Sequence, residues 1–171
     1  MRIDIVEKAG ITVDGNQVRI GDSIETAKKI LGKYDVYMND YYFLDGDLFF
    51  SVDNSDIINE IEVRGGGVEN IHFFFKEKEI FKVEKAEALD FMSACNGEIL
   101  SNGDDREYYA DNLGLIISFG FSEEDVEEMI RESKEDGVYE DMLDAIEQDI
   151  YRSKHIEAIV IHLLSRHCRH Q

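Results

Sequence analysis

Short apolar runs rich in β-branched and aromatic residues, separated by Asp, Asn and Gly turn residues, recur along the chain, the pattern of strands. Ile3–Val6 and Ile11–Val13 are β-branched runs, and Asp14-Gly15 is a tight-turn dipeptide ahead of Gln17–Ile20, which together predict a β-hairpin. The spacing then turns helical. Ile24, Ala27, Ile30 and Leu31 fall on one side of a helix that Asp22 can cap, with Glu25 closing a capping box and Gly32 as the stop. Tyr-rich predicted strands come next, at Asp35–Met38, Tyr41–Leu44, Leu48–Val52 and Ile57–Arg64, with turns at Asp45-Gly46 and Asp53–Ser55. Gly65-Gly66-Gly67 lacks the Lys-Ser/Thr of a phosphate loop and reads as a joint. Two further strands, Ile71–Phe75 and Ile80–Val83, flank the charged turn Lys76–Glu79.

The same order then recurs. A helix with Ala88, Phe91, Met92 and Cys95 on one side ends at Asn96-Gly97, and strands follow at Glu98–Ser101, Arg106–Ala110 and Leu113–Phe119. At an offset of 67 residues, the stretch from Tyr41 to Val52 lies over that from Tyr108 to Phe119, with both Tyr-Tyr pairs, a Leu and a Ser coinciding. This predicts an α+β fold of two helix-plus-antiparallel-sheet repeats, residues 1–64 and 68–171, the second carrying an acidic helical insert at 122–153. In the insert, Ser122 caps a helix with Val126, Met129 and Ile130, and Gly137 ends it. A second helix carries Tyr139, Met142, Leu143, Ile146 and Ile150. The chain returns to strand at Ile156–Leu164, whose run of Ile159, Val160 and Ile161 suits a central position in a sheet.

Composition narrows the function. Among 171 residues, 18 Lys and Arg stand against 38 Asp and Glu, a net charge of −20, while the hydrophobic fraction of 43% is that of a folded chain. Such a charge repels phosphate, and with no basic stripe beyond Arg166–His170 it argues against nucleic-acid binding. Apolar runs such as Ile71–Phe75 and Leu113–Phe119 are far below the roughly 18 residues that cross a bilayer. The opening Met1-Arg2-Ile3-Asp4 places charges where a signal peptide needs an apolar run, so a cytosolic protein with no membrane partner is expected. Two widely spaced thiols, Cys95 and Cys168, predict neither a disulfide framework nor a zinc site. His162, His167, Cys168 and His170 offer metal donors, but the tail reads as a basic end. The Asp/Asn/Gly turns at 45–47, 53–56 and 102–105 lack the ligand spacing of a calcium loop. With no nucleophile–base motif or recognisable carboxylate pair either, the expectation is a protein without catalytic residues, metal or cofactor.

The insert carries the main candidate chemistry. From Phe121 to Ile150 it has 13 acidic residues and 2 basic ones, a net of −11. A solvated face that keeps the chain soluble needs fewer charges, and like charges at helical spacing are destabilising. A face of this kind steers a basic partner. The candidate contact residues are Glu140, Asp141, Asp144 and Glu147 on the insert, with Asp104, Asp105, Tyr108 and Tyr109 beside it in the second repeat. Adjacent tyrosines on a strand point to opposite sides, and an exposed Tyr beside acid is a common interface anchor. Half-buried sheet positions are the plainer reading of all six strand tyrosines, Tyr34, Tyr37, Tyr41, Tyr42, Tyr108 and Tyr109.

The unit in which Ile20-Gly21-Asp22-Ser23 enters a helix, Leu31-Gly32 leaves it and Leu48–Val52 forms the next strand resembles the repeat of the β-lactamase inhibitor protein and related small bacterial envelope domains. The stretch from Gly10-Ile11-Thr12-Val13-Asp14-Gly15 through Val63 is similar to bacterial immunity proteins, which neutralise toxins encoded beside them. These resemblances imply a cytosolic, non-enzymatic immunity or inhibitor protein. Its partner would be a protein toxin domain from a neighbouring gene, basic if it is a nuclease. The alternative is an adaptor that dimerises through an exposed strand such as Ile156–Leu164.

Overall fold

The computed structural model describes residues 1–65 and 70–163. Leu164 and the tail donors His167, Cys168 and His170 lie outside the described residues, as do Gly66 and Gly67. The described chain is an α+β fold of two sheets and four α-helices. Strands β1 (Arg2–Val6), β2 (Gly10–Val13) and β3 (Asn16–Arg19) form the predicted antiparallel meander. Helix α1 (Ile24–Leu31) follows, capped by Ser23, whose Oγ accepts from the Glu25 N–H at 3.4 Å. Asp22, the cap expected from the sequence, instead accepts from the Arg19 N–H at 2.9 Å and closes the turn before the helix.

Strands β4 (Tyr34–Tyr37), β5 (Asp40–Phe43), β6 (Leu48–Val52) and β7 (Ile58–Arg64) come next, then β8 (His72–Phe75) and β9 (Lys78–Glu79). The strand expected at Ile80–Val83 is a 3₁₀ turn, Ile80–Lys82. It buries both Ile80 and Phe81, which strand geometry would send to opposite sides. After α2 (Lys85–Asn96) the chain forms β10 (Leu100–Ser101), β11 (Glu107–Ala110) and β12 (Leu115–Phe119). The insert helices α3 (Glu123–Glu135) and α4 (Leu143–Lys154) then lead to β13 (Ile156–Ile161).

One sheet has the order β3-β2-β1-β8-β9, with β1 and β8 parallel. The other has the order β10-β11-β12-β13-β7-β6-β5-β4, and all its pairings are antiparallel. The strand offered by the sequence as an exposed dimerisation edge, β13, is therefore central, paired with β12 on one side and β7 on the other. The open edges of this sheet are the two-residue β10 and the four-residue β4.

The larger sheet is regular about its centre. Tyr41 pairs with Phe50 and Tyr42 with Phe49, as Tyr108 pairs with Ile117 and Tyr109 with Ile116, each an offset of 67. The registers slip at equivalent points, Ser51/Val52 and Ser118/Phe119. β7 and β13 correspond at an offset of 98, so that Ile61 and Val63 match Ile159 and Ile161. They meet with Glu62 opposite Val160, residues that are each other's counterparts, so the register has a local two-fold through that pair.

Cross-strand registers also fix the two sides of the sheet. Tyr34, Phe43, Leu48, Val63, Ile159, Ile117 and Tyr108 form one row of the inner side, and all but the exposed Tyr34 join the main core with β1, β2, β8, α1 and α2. The outer side carries the row Asp35, Tyr42, Phe49, Glu62, Val160, Ile116, Tyr109 and Leu100 across all eight strands.

Candidate functional site

The acidic insert starts from a complete capping box. Ser122 N–H donates to Asp125 Oδ2 at 2.9 Å and Asp125 N–H donates to Ser122 Oγ at 3.0 Å. The backbone bond from Ser122 is the main reason the Asp125 carboxyl sits below its ordinary pKa. α3 and α4 pack on each other, burying Ser133 and Ser153, whose hydroxyls donate back to the Ile130 and Ile150 carbonyls at 3.0 and 2.8 Å. α4 lies against β12 and β13. Val126 and Ile146 are buried with Ile116 and Ala158 of the outer sheet side, and none of the four belongs to the main core. The insert thus has its own small apolar base.

On that base the acidic residues face outward. Glu140 and Asp141 lie in the 3₁₀ turn Tyr139–Met142 and Asp144 and Glu147 on α4, all exposed, and no described cation pairs with them. Asp144 and Glu147 line an open groove of about 600 Å³ with Gly65, Tyr151, Arg152, His155 and Glu157. The Tyr151 ring stacks on His155 with centroids 3.9 Å apart. Arg152, the cation of the groove, is bound to Glu157, approaches Asp149 at 3.5 Å and covers the Phe121 ring at 4.9 Å. Its bond to Glu157 chiefly holds its guanidinium above the ordinary pKa, so this charge is already neutralised within the chain. The groove therefore presents uncompensated carboxylates beside a stacked aromatic pair, an arrangement suited to a cationic side chain.

The second predicted cluster lies elsewhere. The turn at 102–106 is built by its own side chains: Ser101 Oγ accepts from Gly103 N–H at 3.0 Å, and Asp104 Oδ1 accepts from Arg106 N–H at 3.0 Å. That backbone bond is the leading cause of the lowered Asp104 pKa. Asp105 is held by Lys85 Nζ at 2.7 Å and by the Tyr108 hydroxyl. Burial pushes the Asp105 carboxyl up, but the Lys85 and Tyr108 bonds outweigh it and the net shift is downward. Tyr108 points to the inner side, its ring edge-on to Phe119 at 5.8 Å with Lys85 above both rings. Burial, then the bond to Asp105, raises its phenol pKa. Tyr109 points outward, its hydroxyl donating to Glu107 at 2.7 Å.

Of the eight candidate contact residues, only Asp144 and Glu147 line the groove. Asp104 lies near the start of α3 instead, where it and Arg106 are within electrostatic reach of Asp125, while Asp105 is held by Lys85 and Tyr108. Sequence reading missed Tyr151, His155 and Glu157, although Tyr151 and His155 stand at the i,i+4 spacing that stacks side chains on a helix. Among the described residues no group of three or more His, Cys, Asp or Glu could hold a metal ion, and no helix is long and apolar enough to cross a membrane.

Fold and surface define an α+β protein with a charged, solvent-facing helical pair mounted on the outer side of an antiparallel sheet. The chain belongs to the family described as Domain of unknown function (DUF7738), whose model matches residues 2–112, from β1 through β11. No curated protein and no solved structure matches it.

Proposed function

We propose that this chain is a non-enzymatic immunity or inhibitor protein that binds a basic toxin domain and neutralises it, with the acidic insert as its main contact. The carrying observation is a net charge of −11 between Phe121 and Ile150, displayed on exposed helix surface and left uncompensated at Glu140, Asp141, Asp144 and Glu147. The tandem helix-and-sheet pattern and its resemblance to inhibitor and immunity repeats support the same reading, as does the Asp144–Glu147 groove for a Lys or Arg side chain.

The test combines this protein with the product of the neighbouring gene and follows association by stopped flow. A tight 1:1 complex is expected, with an association rate that falls at least about tenfold between low and physiological salt. Reversing Glu140, Asp141 and Asp144 to Lys should slow association by a similar factor. The absence of a complex at low salt overturns the proposal.

A second reading, a homodimeric adaptor, is favoured by one observation. Edge strand β4 is exposed along its whole length, with Tyr37 and the following Met38 65% and 80% exposed. Such an edge can pair with another strand. Light scattering at several salt concentrations separates the readings: a salt-insensitive dimer favours the adaptor.

A further inference from the structure

The register two-fold of the eight-stranded sheet makes its two halves comparable position by position. In the second half the outer side is covered: α4 lies on β12 and β13, and Ile116 is 2% exposed. The counterpart of Ile116 is Phe49, and that of Tyr109 is Tyr42. The first half has no insert. Among the described residues, the principal neighbours of β4, β5 and β6 are one another, β7 and the 3₁₀ turn at Leu44–Gly46. Phe49 is accordingly half-buried where Ile116 is buried, while Tyr42 is half-buried like its counterpart Tyr109; the Tyr42 and Phe49 rings are 5.2 Å apart, and Tyr37 continues the patch toward the edge.

The border of this patch also differs from its counterpart. Where the covered half has Leu100 and Val160, the bare half has Asp35 and Glu62, and Asp40 lies on the same side between Tyr37 and Ser51. Glu62 is bound by Arg64 at 2.5 Å, so Asp35 and Asp40 are the border carboxylates with no described cation. An aromatic centre with carboxylates around it suits a partner that supplies apolar contact and positive charge together. The covered half shows the shape that fits such a surface, an amphipathic helix laid on the strands.

We propose that the outer side of β4–β7, centred on Tyr37, Tyr42 and Phe49 and bordered by Asp35 and Asp40, is a docking surface for a partner's amphipathic helix whose apolar stripe is flanked by Lys or Arg. It is separate from the acidic insert and does not depend on toxin neutralisation.

The probe is a helix-forming Leu/Lys peptide of about 18 residues, added to the isotope-labelled full chain, with a Leu/Glu peptide of the same pattern as control. Amide shifts are expected at Tyr37, Tyr42 and Phe49 with the Leu/Lys peptide and not with the Leu/Glu peptide. Phe49→Ser should weaken binding about tenfold, the size of an aromatic anchor. Asp35→Lys with Asp40→Lys, changes at the border that leave the aromatic centre intact, should weaken it about fivefold. A chain carrying Glu140→Lys, Asp141→Lys and Asp144→Lys should keep these shifts, which separates failure here from failure of the insert as a toxin contact. Shifts confined to α3 and α4 overturn the proposal. So does a dimer in light scattering that Phe49→Ser dissolves, because a second copy would then be the occupant.

Discussion

Gly65 leaves no room for a side chain: a Cβ there would stand 2.1 Å from Cδ1 of Phe81. Its N–H donates to the Glu157 carbonyl at 3.0 Å, tying the end of β7 to the start of β13. The residue is thus a packing position, and its place in a glycine run says nothing about that. Gly65→Ala should destabilise the fold by about 1–3 kcal/mol through overpacking, and Phe81→Leu in the same chain should recover part of the loss. Thermal unfolding of the parent, the single and the double variant tests this, and an unchanged Tm for Gly65→Ala would place Phe81 elsewhere. Asp105 offers a second residue-scale test. Its folded pKa lies below its unfolded one, so its contribution is present above the unfolded value near pH 4 and is lost as pH falls through the depressed value. Asp105→Asn should therefore be less stable than the parent at neutral pH, with the two denaturation midpoints converging as the pH is lowered through the acid range.

At the scale of elements, sequence pattern was most informative where burial is one-sided and local. Leu48–Val52 and Leu115–Phe119 are short apolar runs sharing a Leu and a Ser at matching positions and each preceded by a Tyr-Tyr pair, so their strands and the correspondence of 67 residues were legible. The 3₁₀ turn at Ile80–Lys82 was misread because three apolar or amphipathic residues after a turn fit either a strand or a tight inward bend. The parallel pairing of β1 with β8 joins residues some 70 positions apart, Ile3 with Phe73, and no local period encodes it. For the candidate site, charge disclosed the insert, but alternation cannot say which side of a sheet is covered. The groove of Tyr151 and His155 and the bare aromatic patch therefore became visible only in three dimensions. The insert's separate apolar base makes its own prediction. Ile146 is 2% exposed and lies outside the main core, so Ile146→Ala should loosen the helices without unfolding the sheets. Hydrogen exchange should quicken across α3 and α4 by a factor corresponding to about 2–4 kcal/mol, while β5 and β6 keep their protection. Equal acceleration everywhere would mean that the insert folds as one unit with the sheet.

For the whole molecule, the unequal distribution of charge sets the energetic problem. A net charge of −20 on 171 residues, more than half of it between Phe121 and Ile150, makes the compact state repel itself more than the unfolded chain does. Screening relieves this: the Debye length shrinks from about 30 Å at 0.01 M salt to about 8 Å at 0.15 M. The Tm should accordingly rise over that range, and more steeply for the parent than for the chain with Glu140, Asp141 and Asp144 reversed to Lys, whose net charge is −14 because each reversal adds two units. The same reversal should raise the Tm at 0.01 M salt and slow association with a basic partner. Stability and partner binding would then respond in opposite directions to one set of substitutions, as expected of charge retained for recognition at the expense of the fold. A Tm indifferent to both salt and reversal would mean that the clustered acid costs the fold nothing. In that case solubility alone would account for it, and the electrostatic case for a basic partner would lose its main support.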